Sequence, residues 1–324
     1  MMPFPFPTVE AQLDSVLSLD PIVFCEVGAR KGGKRFRAIG KYVRYYGFEP
    51  DEPQATLLKR DLAGVFGDVH VLQHAVMDRS GAVSINVLRH RGCSSVLMPN
   101  RSVIDLYMTR RADTNRWPDY FDVVDTYQCE AQCLDDIALA EGIAELDFLG
   151  LDTQGTEMQI LDGGRSVLSR TTFVHVEMET VPLYKDQALL AEVMGWLTDA
   201  GFRLLAIEKP ERISRFPAGV DDRVDQGEIV SIDGLFYRDS SEEFDSADLS
   251  AASVLRRMLL LHELEFRTLA IATGRRFLER RTDSAVRALV DAMIDRYKRD
   301  NASAQSVRTR IRRMLRRLKP YGHA

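Results

Sequence analysis

The sequence predicts an α/β protein with a mostly parallel central sheet, and two observations in its 324 residues support this. From residue 21 onward, short apolar runs alternate with helical stretches, as strands and crossover helices do in a parallel sheet. The last two apolar runs are separated only by a polar loop, and strands joined in this way are usually antiparallel. We therefore expect a parallel sheet that ends in an antiparallel hairpin.

The predicted elements follow in chain order. Residues 1–20 are a Pro-rich lead-in with one short helix, and residues 21–238 form the main domain. Helices are predicted at PQATLLKRDLAGVF and at QALLAEVMGWLTDAG, where Gly201 suits a helix C-cap. Strands are predicted at IVFCEVG, YYGFEP, VHVLQHAVM, LDFLGLD and TTFVHVEME, followed by the closing pair FRLLAIE and SIDGLFYR.

Two segments depart from this alternation. Residues 89–128 are long, polar and aromatic, and such insertions tend to be functional, so we expect a lid over the substrate. After an acidic linker at 239–247, residues 248–324 are predicted to be a helical extension that ends in a basic amphipathic helix. Two interpretations of residues 305–319 stay open. One is contact with an anionic membrane surface, and the other is a solvated end or a contact in a homo-oligomer.

Composition excludes several classes of protein. The net charge of −5 argues against binding polyanions by bulk electrostatics, and no base-methylating or RNA-binding motif is visible, so a nucleic-acid partner is not expected. No apolar run is long enough to span a bilayer and no signal-peptide pattern is visible, so we expect a cytoplasmic protein, at most held at the inner membrane surface. The cysteines form no CxxC pair, so a zinc site is not expected.

The stretch FCEVGARKGGKR contains a glycine turn after the first predicted strand. It fits GxxxxGK, but Arg35 stands where a nucleotide-binding P-loop needs a hydroxyl for magnesium. The dinucleotide pattern GxGxxG also fails, at Arg30. What remains is Glu26, Gly28 and Gly32, an acid followed by small residues at the end of a strand. This combination favours a ligand with an ammonium group and no phosphate, such as S-adenosylmethionine.

A second carboxylate supports the same interpretation. Glu49 ends the next predicted strand, about 20 residues after Gly28, which is where a ribose diol is commonly held. Pro50 follows and stops the strand. We therefore predict ribose binding by Glu49.

Five segments together carry a resemblance to a known family over residues 22–238. They are EVGARKGG, GFEPDEPQ, QHAVMDRSG, LDFLGLDTQGTEMQILDGG and FVHVEMETVPLY. In order and spacing they resemble the FkbM family of S-adenosylmethionine-dependent methyltransferases. The resemblance implies a class I methyltransferase fold, which is Rossmann-like, and O-methylation of a hydroxyl on a sugar, a glycan or a related natural product. The chain departs from the family pattern at Glu26, Arg30 and Leu151.

Carried onto this chain, the resemblance implies a cofactor site with three parts. The methionine end lies along the glycine turn, the ribose on the second strand and the adenine beside the residues that follow the third strand. The implied residues are Glu26, Gly28, Gly32, Glu49, Ala75 and Val76, with Asp152 at the sulfonium end.

Transfer of a methyl group to a hydroxyl also requires loss of a proton, so a positioned base helps. Strand alternation in FVHVEME puts His175, Glu177 and Glu179 on one face. The predicted catalytic residues are Asp152, His175 and Glu177, with Asp152 or Glu177 as the base. Structural roles for Glu177 and His175 are the alternatives that stay open.

The predicted acceptor contacts are Glu157, Glu179, Trp117 and Tyr120, although the two aromatic residues could equally pack the insertion onto the sheet. Clustered carboxylates could hold a divalent metal, but no tight motif supports one and none is predicted. One alternative function stays open, a non-catalytic module that binds glycan or a partner on a degenerate methyltransferase fold.

Overall fold

The computed structural model describes residues 9–30, 32–107, 116–215, 227–238, 250–280 and 286–301. The chain divides into two compact units. One comprises residues 22–240, and the other comprises residues 1–21 together with residues 241–324.

The unit formed by residues 22–240 contains two sheets. In chain order the strands are β1 (Ile22–Val27), β2 (Val43–Phe48), β3 (Asp68–Leu72), β4 (Ala75–Met77), β5 (Gly81–Leu88), β6 (Val123–Cys133), β7 (Leu146–Leu151), β8 (Thr171–Glu179), β9 (Arg203–Ile213) and β10 (Glu228–Tyr237). The larger sheet has the order β3-β2-β1-β7-β8-β10-β9. Its pairs are parallel except those that β10 makes with β8 and β9. The predicted parallel sheet with an antiparallel closing pair is confirmed.

Helices connect most of these strands. Asp51 begins one of them, because its carboxylate accepts a hydrogen bond from the Gln54 backbone N–H at 3.3 Å. Short 3-10 helices cover Arg37–Tyr42, Arg91–Cys93 and Trp117–Phe121. The α-helices, including one of the other unit, are α1 (Val9–Leu17), α2 (Glu52–Leu62), α3 (Arg101–Ile104), α4 (Leu134–Ala140), α5 (Glu157–Asp162), α6 (Arg165–Leu168) and α7 (Leu190–Asp199).

The structure corrects two predicted elements. The stretch VHVLQHAVM is not one strand, because β3 joins the large sheet while β4 pairs with β6 in a three-stranded sheet of order β4-β6-β5. The predicted insertion is also too long. Its end belongs to β6, which begins at Val123 and pairs with β5 in antiparallel register. Residues 108–115 of the insertion lie outside the described part of the chain.

The centre of the large sheet is buried on both faces. All six residues of β7 are buried, as expected for a parallel strand covered on two sides. One face carries an aromatic cluster in which Phe148 lies 5.4 Å from Phe24 and 6.2 Å from Phe173, measured between ring centroids. This packing fixes β1, β7 and β8 side by side, so that the carboxyl ends of these strands meet at one edge of the sheet.

The other unit is helical in its described part. Besides α1 it contains helices Ala251–Glu263 and Arg267–Arg280, and residues 286–301 are also helical. Leu255 and Leu259 are buried, and His262 stacks on Tyr297 with ring centroids 4.1 Å apart. Residues 305–319, with their predicted membrane or oligomer contact, lie outside the described residues. Among the helices that the structure describes, none has the length and apolar character needed to cross a bilayer.

Candidate functional site

A cleft of about 1000 Å³ opens at the carboxyl ends of the parallel strands. Its walls come from the glycine turn after β1, the end of β2, strand β4, the start of the insertion and the turn after β7. Ligands of open α/β sheets bind at this edge. The three-stranded sheet closes one side through Ile85, Val87 and Tyr127.

The glycine turn begins at a residue with no room for a side chain. Gly28 has φ +78°, and a Cβ there would lie 1.8 Å from the backbone oxygen of Asp152. Glycine is required because the end of β7 passes against β1 at this point, where the Asp152 backbone N–H also donates to the Val27 oxygen at 3.1 Å. The close approach is thus between two strands of the protein itself.

Glu26 supports the same turn from below. Its Oε2 accepts hydrogen bonds from the Gly33 backbone N–H and from the Tyr45 hydroxyl, both at 2.7 Å. A Cβ on Gly32 would lie 2.2 Å from that oxygen, so glycine is needed for the carboxylate to fit. Glu26 also lines the cleft. It can therefore fix the turn with one oxygen and face a cationic ligand group with the carboxylate's charge.

Glu49 lies at the end of β2 and lines the cleft, although only 5% of its surface is exposed. Its Oε1 accepts from the Asp51 backbone N–H at 3.0 Å, and its Oε2 has no hydrogen-bond partner among the described residues. Burial raises the pKa of the Glu49 carboxyl above its usual range. Arg30 pairs with Asp51 at 3.3 Å instead of with Glu49. One carboxylate oxygen is thus left facing the cleft.

The wall beyond Glu49 suits a flat apolar ring. Ala75 and Val76 are buried in β4 and line the cleft there. The neighbouring His74 also lines it, and its Nδ1 is buried without a hydrogen-bond partner. Together with Tyr127 these residues offer an apolar slot with one free polar atom. The cleft therefore fits an adenosine with a positively charged tail, which is the shape and chemistry of S-adenosylmethionine.

Two predicted catalytic carboxylates meet at the turn after β7. Asp152 is exposed and lines the cleft, whereas Glu177 on β8 is largely covered. Both accept hydrogen bonds from Nε2 of Gln154, Asp152 through Oδ1 at 2.8 Å and Glu177 through Oε2 at 2.7 Å. Burial, with the negative charges of Asp152 and Glu179 nearby, raises the pKa of Glu177 well above its usual range. Burial thus favours the protonated form of Glu177, which lies beside the exposed carboxyl group of Asp152.

A scan against family models matches residues 26–204, more than half of the chain, to the Methyltransferase FkbM domain. The chain belongs to the FkbM methyltransferase family. A curated relative is the 2-O-methyltransferase NoeI of Sinorhizobium fredii (strain NBRC 101917 / NGR234), 25% identical over 222 residues that cover 67% of this chain and 83% of NoeI.

Two solved structures illustrate more distant likenesses. TrmK of M. capricolum in complex with S-adenosyl-homocysteine superposes with a TM-score of 0.34 and 7% identity, covering 89% of this chain and 95% of TrmK. TehB of Haemophilus influenzae superposes with a TM-score of 0.32 and 7% identity, covering 70% of this chain and 61% of TehB. The fold assignment depends on the strand order and the family match, and not on these two structures.

This FkbM methyltransferase uses S-adenosylmethionine as its methyl donor, and the cleft described above fits that cofactor. When bound, the cofactor supplies a methyl group already activated by positive sulfur. The residues that would hold it are those of the glycine turn, Glu49, and the β4 wall. Their individual roles stay predictions.

Glu157 and Glu179 do not contact the acceptor as predicted. Each side chain is only 2% exposed, and neither lines the cleft of this FkbM methyltransferase. Glu157 accepts from the Thr153 backbone N–H at 2.8 Å and from the Gly155 backbone N–H at 3.0 Å. As the first residue of α5, it satisfies N–H groups that the turn before the helix would otherwise leave unpaired. Burial raises the pKa of both carboxyls. Their burial and hydrogen bonds indicate a structural role beneath the turn that follows β7.

The predicted acceptor contact of Trp117 is also corrected. Trp117 is 3% exposed, and its ring packs 5.6 Å from Tyr107 and 4.8 Å from Phe121 between centroids. It therefore packs the insertion onto the sheet. Tyr120 lies on the outer side of this cluster and stacks on His90, a cleft residue, at 4.9 Å. Tyr120 thus positions a residue that lines the cleft.

His175 lines the cleft, and its Nε2 already contacts two other side chains, because it lies 3.5 Å from Oε2 of Glu208 as well as close to Arg35. That nitrogen lies 2.8 Å from Nη2 of Arg35, and a guanidinium can only donate hydrogen bonds. The same Arg35 nitrogen donates to Glu208 at 2.7 Å, and the contacts with His175 and Arg35 lower the pKa of Glu208 to about 2.

Sequence reasoning missed Arg35, Glu208 and Gln154 as parts of the site. Arg35 was noted only as the residue that breaks the P-loop pattern. Glu208 was visible only as an acid that follows an apolar strand segment, and its partners lie more than 30 residues away in sequence. Gln154 carried no signal of its own within LDTQGTE, because its role depends on strands brought together by the fold.

Proposed function

We propose that this FkbM methyltransferase transfers the methyl group of S-adenosylmethionine to a hydroxyl of a sugar, a glycan or a related natural product. The observation that carries the proposal is the Asp152 carboxylate, which faces the cleft at the end of β7 beside the glycine turn. The name of the relative NoeI, a 2-O-methyltransferase, supports the choice of a hydroxyl.

The chain's own residues first bind and orient the donor. Glu26 presents negative charge to the ammonium group of the methionine end. Glu49 accepts a hydrogen bond from the ribose through its free oxygen. His74, Ala75 and Val76 would enclose the adenine, and these contacts together would align the donor with the acceptor. Alignment of this kind supplies much of the rate enhancement in a displacement reaction.

Asp152 would accept the proton of the acceptor hydroxyl as that oxygen takes the methyl group, and S-adenosylhomocysteine would leave once its carbon–sulfur bond is broken. Asp152 is exposed and lines the cleft, whereas burial raises the pKa of Glu177 and so favours its protonated form. Two carboxyl groups with different environments thereby take different roles. A positioned base of this kind contributes about 100- to 10,000-fold in rate.

A second part of the cleft lining supports a polyhydroxylated acceptor. It is formed by the start of the insertion and the turn after β7, and its lining is mainly polar. Backbone and side-chain groups there can exchange hydrogen bonds with several hydroxyls of a sugar. The His90 ring in this lining is stacked on Tyr120. The polar residues of this wall are Arg89, His90, Ser94, Ser95, Thr153 and Gln154.

The test has two stages. Calorimetric titration with S-adenosylhomocysteine first measures cofactor binding, and methyl-labelled S-adenosylmethionine is then offered with a panel of oligosaccharides and hydroxylated natural products. We expect label on a hydroxyl oxygen, located by mass spectrometry. Asp152→Asn should lower kcat at least 100-fold, while the control Asp199→Asn, an exposed residue of α7, should not change it. Cofactor binding with label only on nitrogen or carbon acceptors would overturn the O-methylation proposal.

A further inference from the structure

Gln154 has a backbone conformation that side-chain-bearing residues rarely adopt. Its φ is +61°, and Gly155 follows with φ +106°. In an L residue the left-handed region is strained, and such strain persists only where the surroundings enforce it. A glycine at position 154 would relieve this backbone strain. The presence of glutamine therefore indicates that its side chain has a role.

The side chain of Gln154 makes contacts that no shorter residue could reproduce together. Its Nε2 carries two hydrogens, and the two carboxylates of Asp152 and Glu177 accept them at 2.8 and 2.7 Å. The two acids come from different strands, β7 and β8. Gln154 is therefore the residue through which the cleft-facing acid is linked to the covered one.

The insertion braces the same turn. The Ser95 hydroxyl donates to the Gln154 backbone oxygen at 2.8 Å. The Tyr184 hydroxyl donates to the Cys93 backbone oxygen at 2.6 Å and also lies 3.2 Å from Oε1 of Gln154. The strained turn is thus held by the segment that forms the acceptor wall of the cleft.

We propose that Gln154 is a positioning residue for methyl transfer, whose amide holds the Asp152 carboxylate toward the acceptor and ties it to Glu177. The proposal rests on the O-methylation mechanism above. The strained backbone places the amide between the two acids, where neither strand alone could bring a donor.

The surroundings of Asp152 and Glu177 offer few groups that could stabilise negative charge besides the two N–H donors of Gln154. No lysine or arginine hydrogen-bonds to Asp152 or Glu177 among the described residues, and Asp233 stands directly opposite Glu177 in the β8–β10 register. Loss of the amide removes two N–H donors that favour an ionised carboxylate in this pair. The other titratable groups that interact with Glu177 are Glu157, Glu179 and Tyr184.

Two variants test this without straining the backbone. Gln154→Gly and Gln154→Asn both suit a positive φ, but neither side chain can reach both carboxylates. We expect unchanged or higher Tm, affinity for S-adenosylhomocysteine within about threefold of wild type, and kcat lowered about 10- to 100-fold. The acid limb of the kcat/KM profile should move up by about one pH unit, as expected when a carboxylate loses a hydrogen bond.

The matched control is Asp186→Gly, because Asp186 has the same φ of +61° in an exposed loop. It should leave kcat and the pH profile unchanged. Carboxyl carbon NMR of the S-adenosylhomocysteine complex, with the Asp152 signal assigned through Asp152→Asn, adds a measurement that needs no acceptor. Its titration midpoint should rise in Gln154→Gly even if no hydroxyl acceptor is found, which separates this proposal from the O-methylation proposal. An unmoved Asp152 midpoint and an unmoved acid limb would overturn it.

Discussion

Replacing Glu49 with glutamine tests the cofactor site directly. The side chain is 5% exposed, and Oε1 is already used by the Asp51 backbone N–H at 3.0 Å. One oxygen is left for a ribose hydroxyl, so Glu49→Gln removes one hydrogen bond to a charged acceptor, worth about 1.5–3 kcal/mol. The Kd for S-adenosylhomocysteine should therefore rise roughly 10- to 150-fold.

The assay is calorimetric titration of S-adenosylhomocysteine at several pH values, with Tm as a check on folding. Because burial raises the pKa of Glu49, wild-type affinity should fall as the pH drops through that raised value, whereas the variant should show no such loss. Glu52→Gln is the control, since Glu52 is an exposed residue of α2 close to Glu49 in sequence. A folded Glu49→Gln protein that binds within threefold of wild type would show that Glu49 does not hold the ribose.

Two further predictions concern the scaffold of the site. Gly28→Ala should destabilise the protein by about 2–4 kcal/mol in urea unfolding, because it combines a positive φ with a clash of its Cβ against the Asp152 backbone oxygen at 1.8 Å. Gly64→Ala has the same kind of φ, +76°, with nothing within 4 Å, so it should cost only about 1 kcal/mol, and equal costs would contradict the close-approach argument. Glu208→Gln should lower stability at pH 7 by at most about 1 kcal/mol, since the ion pair is partly exposed and screened. Its folded-state pKa of about 2 lies below the ordinary value, so this difference should be present above pH 4.5 and disappear as the pH falls toward 2. A difference that persists at the lowest pH would show that the contact is not electrostatic.

Much of the fold could be predicted because local patterns specify it. The apolar run of β7 is buried on both faces, and its length and composition already indicate a central parallel strand. The missing helix before β10 indicated the antiparallel end of the sheet. The split at His74 was not predictable, since β3 and β4 are both apolar and only their different partners separate them.

The candidate site was predictable to a smaller extent. Glu49 and the glycine turn could be predicted to lie close together, because each follows one of two consecutive parallel strands. The carboxyl ends of such strands lie at the same edge of the sheet. Strand alternation predicted that His175 and Glu177 lie on the same face of β8. It could not show that Arg35 contacts Nε2 of the His175 imidazole. Composition suggested that Trp117 faces a sugar, whereas packing against Tyr107 and Phe121 covers the ring.

The amino-acid sequence by itself determined the family, the order of strands and helices, and the edge of the sheet where a cofactor binds. These features follow from periodicity and short spacings, which act between neighbours along the chain. Only the tertiary structure decided which acids are exposed and which are covered. It is the packing of β7 against β8 that leaves Asp152 in the cleft and Glu177 beneath it, with Gln154 between them. Burial and hydrogen bonding set the protonation of a carboxyl group, and both depend on residues that meet only when the chain folds.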